Sequence, residues 1–168
     1  MFLSEKQIKD YQNDGVIVVK DIFKDWIKPL RKGFQKVLNN PSKHGRENVN
    51  DNKGRFFEDY CNWKRIEEFK NCIFNSPGAQ IVTEATNSKS AQIFHEHIFI
   101  KEPGTNLETP WHQDMPCYCV DGNDTGSLWI PLDEVDKENN LKLILGSHKW
   151  LKLIKPTKWS NDQPWYKD

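Results

Sequence analysis

Trp111-His112-Gln113-Asp114, entered through Thr109-Pro110, is the stretch on which the reading of this chain turns. Residues 111–120 have the composition of a strand, and on a strand the side chains at i and i+2 leave the same face, roughly 6.6–6.8 Å apart along the chain. His112 and Asp114 therefore share a face, and an imidazole nitrogen and a carboxylate oxygen can converge on one metal ion. Two histidines and one carboxylate on one face of an octahedral ion leave three positions open, which suits a centre that must admit small molecules. A bare His-x-Asp is a weak signal in a chain with 24 acidic residues and five histidines. A surface strand bearing two polar side chains explains it as well.

Working outward, 91–101 reads as a strand upstream of this stretch, and 127–132 and 141–145 read as two more downstream. The polar turns Gly122-Asn123-Asp124 and Asp136-Lys137-Glu138-Asn139-Asn140 separate them. Short strands at this spacing point to a jelly roll or barrel. The N-terminal region is different. Ser4 and Gln7 fit a capping box opening a helix to about Asn13, closed by Gly15, and Val16-Ile17-Val18-Val19 reads as a short strand. Asp25 can cap a second helix carrying Trp26, Leu30, Phe34, Val37 and Leu38, with Pro29 in its first turn, and Asn39-Asn40-Pro41 ends it. Residues 41–55 read as a polar loop. A third helix spans 63–74, and Ser76-Pro77 starts a fourth toward Asn87. The expected class is α+β: helices over 1–89, then a β region over 90–168, in one domain.

Lys+Arg and Asp+Glu both number 24, so the formal charge is zero. That argues against a nucleic-acid binder, which needs excess cationic side chains to displace counterions, and removes the simple case for adsorption to an anionic membrane. No apolar run approaches the roughly 20 residues of a membrane span. Met1–Leu3 run straight into polar sequence with no secretion-signal pattern. The four cysteines (Cys61, Cys72, Cys117, Cys119) form no CxxC pair and are expected as reduced thiols in a cytoplasmic protein; Asn123-Asp124-Thr125 is then a sequon by pattern only. The apolar share of 36% is low, and nine Phe and seven Trp offset it with large buried areas.

Four motifs in order carry a resemblance: Ile98-Phe99-Ile100-Lys101-Glu102-Pro103-Gly104, then Thr109-Pro110-Trp111-His112-Gln113-Asp114, then Leu128-Trp129-Ile130-Pro131-Leu132, then Gly146-Ser147-His148-Lys149. Together with Asp14-Gly15-Val16 after an amphipathic helix, they resemble the phytanoyl-CoA dioxygenase family over nearly the whole chain. The resemblance implies a double-stranded β-helix (a jelly roll, cupin-like) and a non-haem Fe(II), 2-oxoglutarate-dependent dioxygenase. Such an enzyme uses O2 to decarboxylate 2-oxoglutarate and hydroxylate a C–H bond of a small organic or acyl substrate. His112 and Asp114 match the first two iron ligands, and a carboxylate at 114 favours hydroxylation over halogenation. Gln113 matches a residue that helps hold 2-oxoglutarate, and Trp129 one that lines the cosubstrate pocket, although an ordinary core tryptophan is the competing reading. His97 falls where a pocket-facing strand residue occurs. Lys101 is read as a solvated strand end. His148 sits in the family's Gly-Ser-His-Lys turn and is expected to support a loop near the pocket rather than to bind iron. The distal ligand histidine and the arginine for the far carboxylate of 2-oxoglutarate have no counterpart, because no histidine follows His148 and no arginine follows Arg65. The chain is therefore expected to be a truncated form with about half of its β-helix. Leu145 replaces the proline usual before Gly-Ser-His.

Three rival readings remain. His95, His97 and Glu102 have the His-x-His-x4-Glu spacing of a cupin metal site, without its flanking glycines. Cys117 and Cys119 could join His112 on zinc, at a spacing short for a structural site. A chain that keeps only two iron ligands would be an inactive relative or a binding module. A zinc protease is excluded, since Phe99 stands where His-Glu-x-x-His needs its second histidine.

Overall fold

The computed structural model describes residues 1–48, 54–105, 108–122 and 124–156. The apparent sequon and the aromatic segment with Trp159, Trp165 and Tyr166 lie partly or wholly outside them. Helix α1 (Glu5–Asp14) begins as its sequence demands: the Ser4 hydroxyl accepts from the Gln7 amide at 3.2 Å, and the Gln7 side chain accepts from the Ser4 amide at 2.9 Å. Gly15, at φ 79°, takes the left-handed conformation that closes the helix. Helix α2 (Lys24–Asn39) starts earlier than expected, with Phe23 at its N-cap. Asp25 is thus not the cap but lies inside the first turn, where its charge still complements the helix dipole. Pro29 falls in the second turn and forgoes one intrahelical bond.

Strands β1 (Arg46–Glu47), β2 (Phe56–Tyr60) and β3 (His97–Lys101) form one antiparallel sheet in the order β1-β2-β3. Phe57 pairs with Ile100 and Tyr60 with His97. The register divides the sheet into two faces. Phe57, Ile98 and Ile100 pack with Val37, Ile66 and Phe69 from α2 and helix α3 (Glu67–Asn75). The other face carries Phe56, Glu58, Tyr60, His97, Phe99 and Lys101. Helices α2 and α3 approach so closely that a Cβ on Gly33 would stand 2.7 Å from the Phe69 ring. A second cluster, Leu3, Ile81 and Ala85, joins α1 to helix α4 (Gly78–Thr86), and Ile17 and Val19 pack against it. Helix α4 starts one residue later than expected, at Gly78 with Pro77 at its N-cap, so Ser76 lies before the cap, its hydroxyl accepting from the Gly78 amide at 3.2 Å.

The result is a mixed α+β structure, and several expected strands are absent among the described residues. Val16–Val19 runs without a ladder partner: it buries alternate side chains against helices and leaves Val18 76% exposed. Of 91–101 only the second half is strand. Residues 111–120, 127–132 and 141–145 contain no strand; 3-10 turns occupy Met115–Cys117 and Ser147–Lys149. Strand-like composition suits a pleated surface but cannot supply the neighbour whose amides and carbonyls complete a ladder. The two buried clusters and their packed neighbours include no residue beyond Ile100. Among the described residues, no helix is long and apolar enough to cross a membrane.

Candidate functional site

His112 and Asp114 meet, but not by the pleat of a strand. Asp114 has helical dihedrals (φ −68°, ψ −42°) and opens the turn Met115–Cys117, which swings its carboxylate back until Oδ1 lies 3.3 Å from His112 Nε2. His112 Nδ1 lies 2.7 Å from the Pro110 carbonyl oxygen. A carbonyl only accepts, so Nδ1 carries the proton and Nε2 is the nitrogen presented to Asp114. Hydrogen bonding to Asp114 raises the His112 pKa above its usual value despite burial, and hydrogen bonding to His112 lowers that of Asp114. The two atoms want a cation between them, and a metal ion must displace a proton to take that place.

The donor chemistry fits iron(II) at two positions: an imidazole with its tautomer fixed by a backbone carbonyl, and a carboxylate beside it. Among the described residues, no group of three His, Cys, Asp or Glu side chains is arranged to hold a metal. That observation removes the geometric support for both rival metal sets. His97 turns its Nε2 to Glu58, 3.1 Å away, while Glu102 stands five residues along, roughly 16 Å, with its carboxylate against the Arg55 amide at 3.3 Å. Cys117 and Cys119 are exposed free thiols.

Gln113, matched by resemblance to a residue that helps hold 2-oxoglutarate, engages its amide with the backbone. Its Nε2 donates to the Lys152 carbonyl at 3.2 Å, and its Oε1 accepts from the Ile154 amide at 2.8 Å. Trp129 is 40% exposed. His148 packs away from the pair, on the end of α1: its Nε2 reaches the Gln12 carbonyl at 3.2 Å, and the Gly146 amide donates to the Asp14 carbonyl at 2.8 Å.

Lys101 corrects its reading as a solvated strand end. Its ammonium lies over the Phe56 ring at 4.6 Å and bonds the Thr109 hydroxyl at 3.1 Å, and burial lowers its pKa.

Other polar residues of the site carried no sequence signal. Glu58 is fully buried and accepts from Arg46 Nε, from Asn48 at 3.0 Å and from the Tyr60 hydroxyl at 3.0 Å, besides facing His97. Burial alone would push its carboxyl up; the hydrogen bonds from His97, Asn48 and Arg46 hold it down at about 2. Tyr60 stacks on the His97 ring at 4.0 Å, and His95, Phe94 and Tyr118 extend this aromatic group toward Asp114. An open cleft of about 450 Å³ lined by Cys61, Trp63, Lys64, Gln92, Ile93 and Phe94 borders the group on its Phe94 side.

Comparison with known families matches residues 11–167 to the phytanoyl-CoA dioxygenase (PhyH) family. No curated protein and no solved structure matches the chain.

Proposed function

The chain belongs to the phytanoyl-CoA dioxygenase family, and on that premise we propose that it is a non-haem Fe(II), 2-oxoglutarate-dependent dioxygenase with His112 and Asp114 as two of its iron ligands. The observation that supports this reading is the juxtaposition of His112 Nε2 and Asp114 Oδ1 at 3.3 Å with the Pro110 carbonyl fixing the imidazole tautomer. When bound, Fe(II) with 2-oxoglutarate and O2 supplies an oxidation that hydroxylates a C–H bond and leaves succinate and CO2. The chain's own part is positioning. Pro110 directs Nε2 outward, the turn at Met115–Cys117 sets the carboxylate beside it, and the polar face with Glu58, Tyr60, His97 and Lys101 is the side we assign to the interior of the family's double-stranded β-helix. Trp129 would line the cosubstrate side. Gln113 would join it there only on releasing Lys152 and Ile154.

One observation favours a second reading, a non-catalytic relative or binding module: no third donor joins the pair among the described residues. Fe(II)-dependent release of CO2 from 2-oxoglutarate decides between them. The dioxygenase reading expects release that His112→Ala abolishes and His95→Ala retains; turnover surviving in His112→Ala would sink the assignment of the site.

A further inference from the structure

We propose that Lys101, together with the Thr109 hydroxyl, holds the far carboxylate of 2-oxoglutarate, an inference that rests on reading His112 and Asp114 as iron ligands. Lys101 ends β3 and shares its polar face with His97 and Phe99. Two contacts fix its half-buried ammonium. It lies 4.6 Å from the centre of the Phe56 ring and donates to the Thr109 hydroxyl at 3.1 Å. Phe56 is only 2% exposed, so the ring that carries the cation is itself anchored in the fold.

The segment after Thr109 runs back along this face. It begins beside Lys101, passes His112 and Asp114, and brings the Tyr118 ring to 5.8 Å from that of His95, just before the start of β3. The His112–Asp114 pair therefore lies between the two ends of that path. Three residues separate Thr109 from His112, a span of at most about 11 Å. A five-carbon 2-oxo diacid with its oxo end on a metal and its far carboxylate on a hydrogen-bond donor reaches about 10 Å. The chemistry matches the length. A carboxylate presents two oxygens, and an ammonium and a hydroxyl side by side can each donate to one of them. The anion also offsets the burial that disfavours the charged form of Lys101.

Calorimetric titration of the full chain with Mn(II) under anaerobic conditions tests this without turnover. The probes are 2-oxoglutarate and 2-oxopentanoate, which carries a methyl group where 2-oxoglutarate has its far carboxylate. Wild type should prefer the diacid by about 10- to 100-fold, the range of one hydrogen bond to a charged group. Lys101→Met keeps the stem over Phe56 and should reduce that preference to less than about threefold, with the thermal midpoint and the 2-oxopentanoate Kd unchanged. Thr109→Val should reduce it about fivefold, and decides the matter by the same ratio if Lys101→Met fails to fold. A wild type without preference, or a preference kept in both variants, overturns the role of Lys101; loss of both acids in His112→Ala would then leave the iron reading standing. Equal weakening of both acids in Lys101→Met also overturns it, since the lysine would then act on the fold. A wild-type chain that binds neither acid, or binding that survives in His112→Ala, overturns both.

Discussion

Glu58 has no exposed surface and sits in the middle strand of the sheet, yet it remains ionised because four side chains serve it. A carboxyl held at about 2 against an ordinary 4.5 binds its proton less readily in the folded chain than in the unfolded one. Its contribution to stability is therefore complete above about pH 5 and is lost as the pH falls toward 2. Replacing Glu58 by Gln removes the charge but keeps the shape, and should cost about 2–4 kcal/mol in urea unfolding at pH 7. The gap between variant and wild type should narrow on acidification through that window; a constant gap would mean that the loss is steric. His97 was readable in the sequence as a polar residue on a strand. Its partner Glu58 was not, because it lies 39 positions away next to a second acid, a pattern that ordinarily marks a solvated segment.

Among the elements, the end of α1 shows how one turn can be tied down from afar. A Cβ on Gly15 would stand 2.4 Å from His148 Nδ1, and the backbone there has φ 79°. Gly15→Ala should cost about 1–2 kcal/mol for the left-handed conformation alone, with a further loss from displacing the imidazole. In a His148→Ala background only the first part should remain, and equal losses in both backgrounds would show that the histidine does not pack there. The α1 boundaries were legible because a capping box and a closing glycine act within a few residues. Strands 111–120, 127–132 and 141–145 were expected on equally good composition and are not formed, since a strand's hydrogen bonds belong to a neighbour that its own sequence does not specify. The convergence of His112 and Asp114 was anticipated for a pleated strand and is achieved by a turn instead.

Across the described residues, the buried apolar clusters and the strand ladders end at the same place. Among the described residues, both buried clusters and all three strands lie before residue 102, whereas Trp111, Leu143, Leu145, Trp150, Leu151 and Leu153 are exposed. Amides of β2, paired on both sides, should exchange with deuterium far more slowly than those of 127–132 and 141–145; matching protection in the later segments would mean that they are paired as the sequence pattern suggested. The family and the order of its motifs could be read from the residues, and the fold of the second half could not. The central claim, that iron is held between His112 and Asp114, is tested most directly by loading the chain with Fe(II), adding ascorbate under air and mapping oxidised residues by mass spectrometry. The account predicts oxidation centred on His112 and lost in Asp114→Asn. Oxidation centred on His97 or His44 with His112 untouched would contradict it.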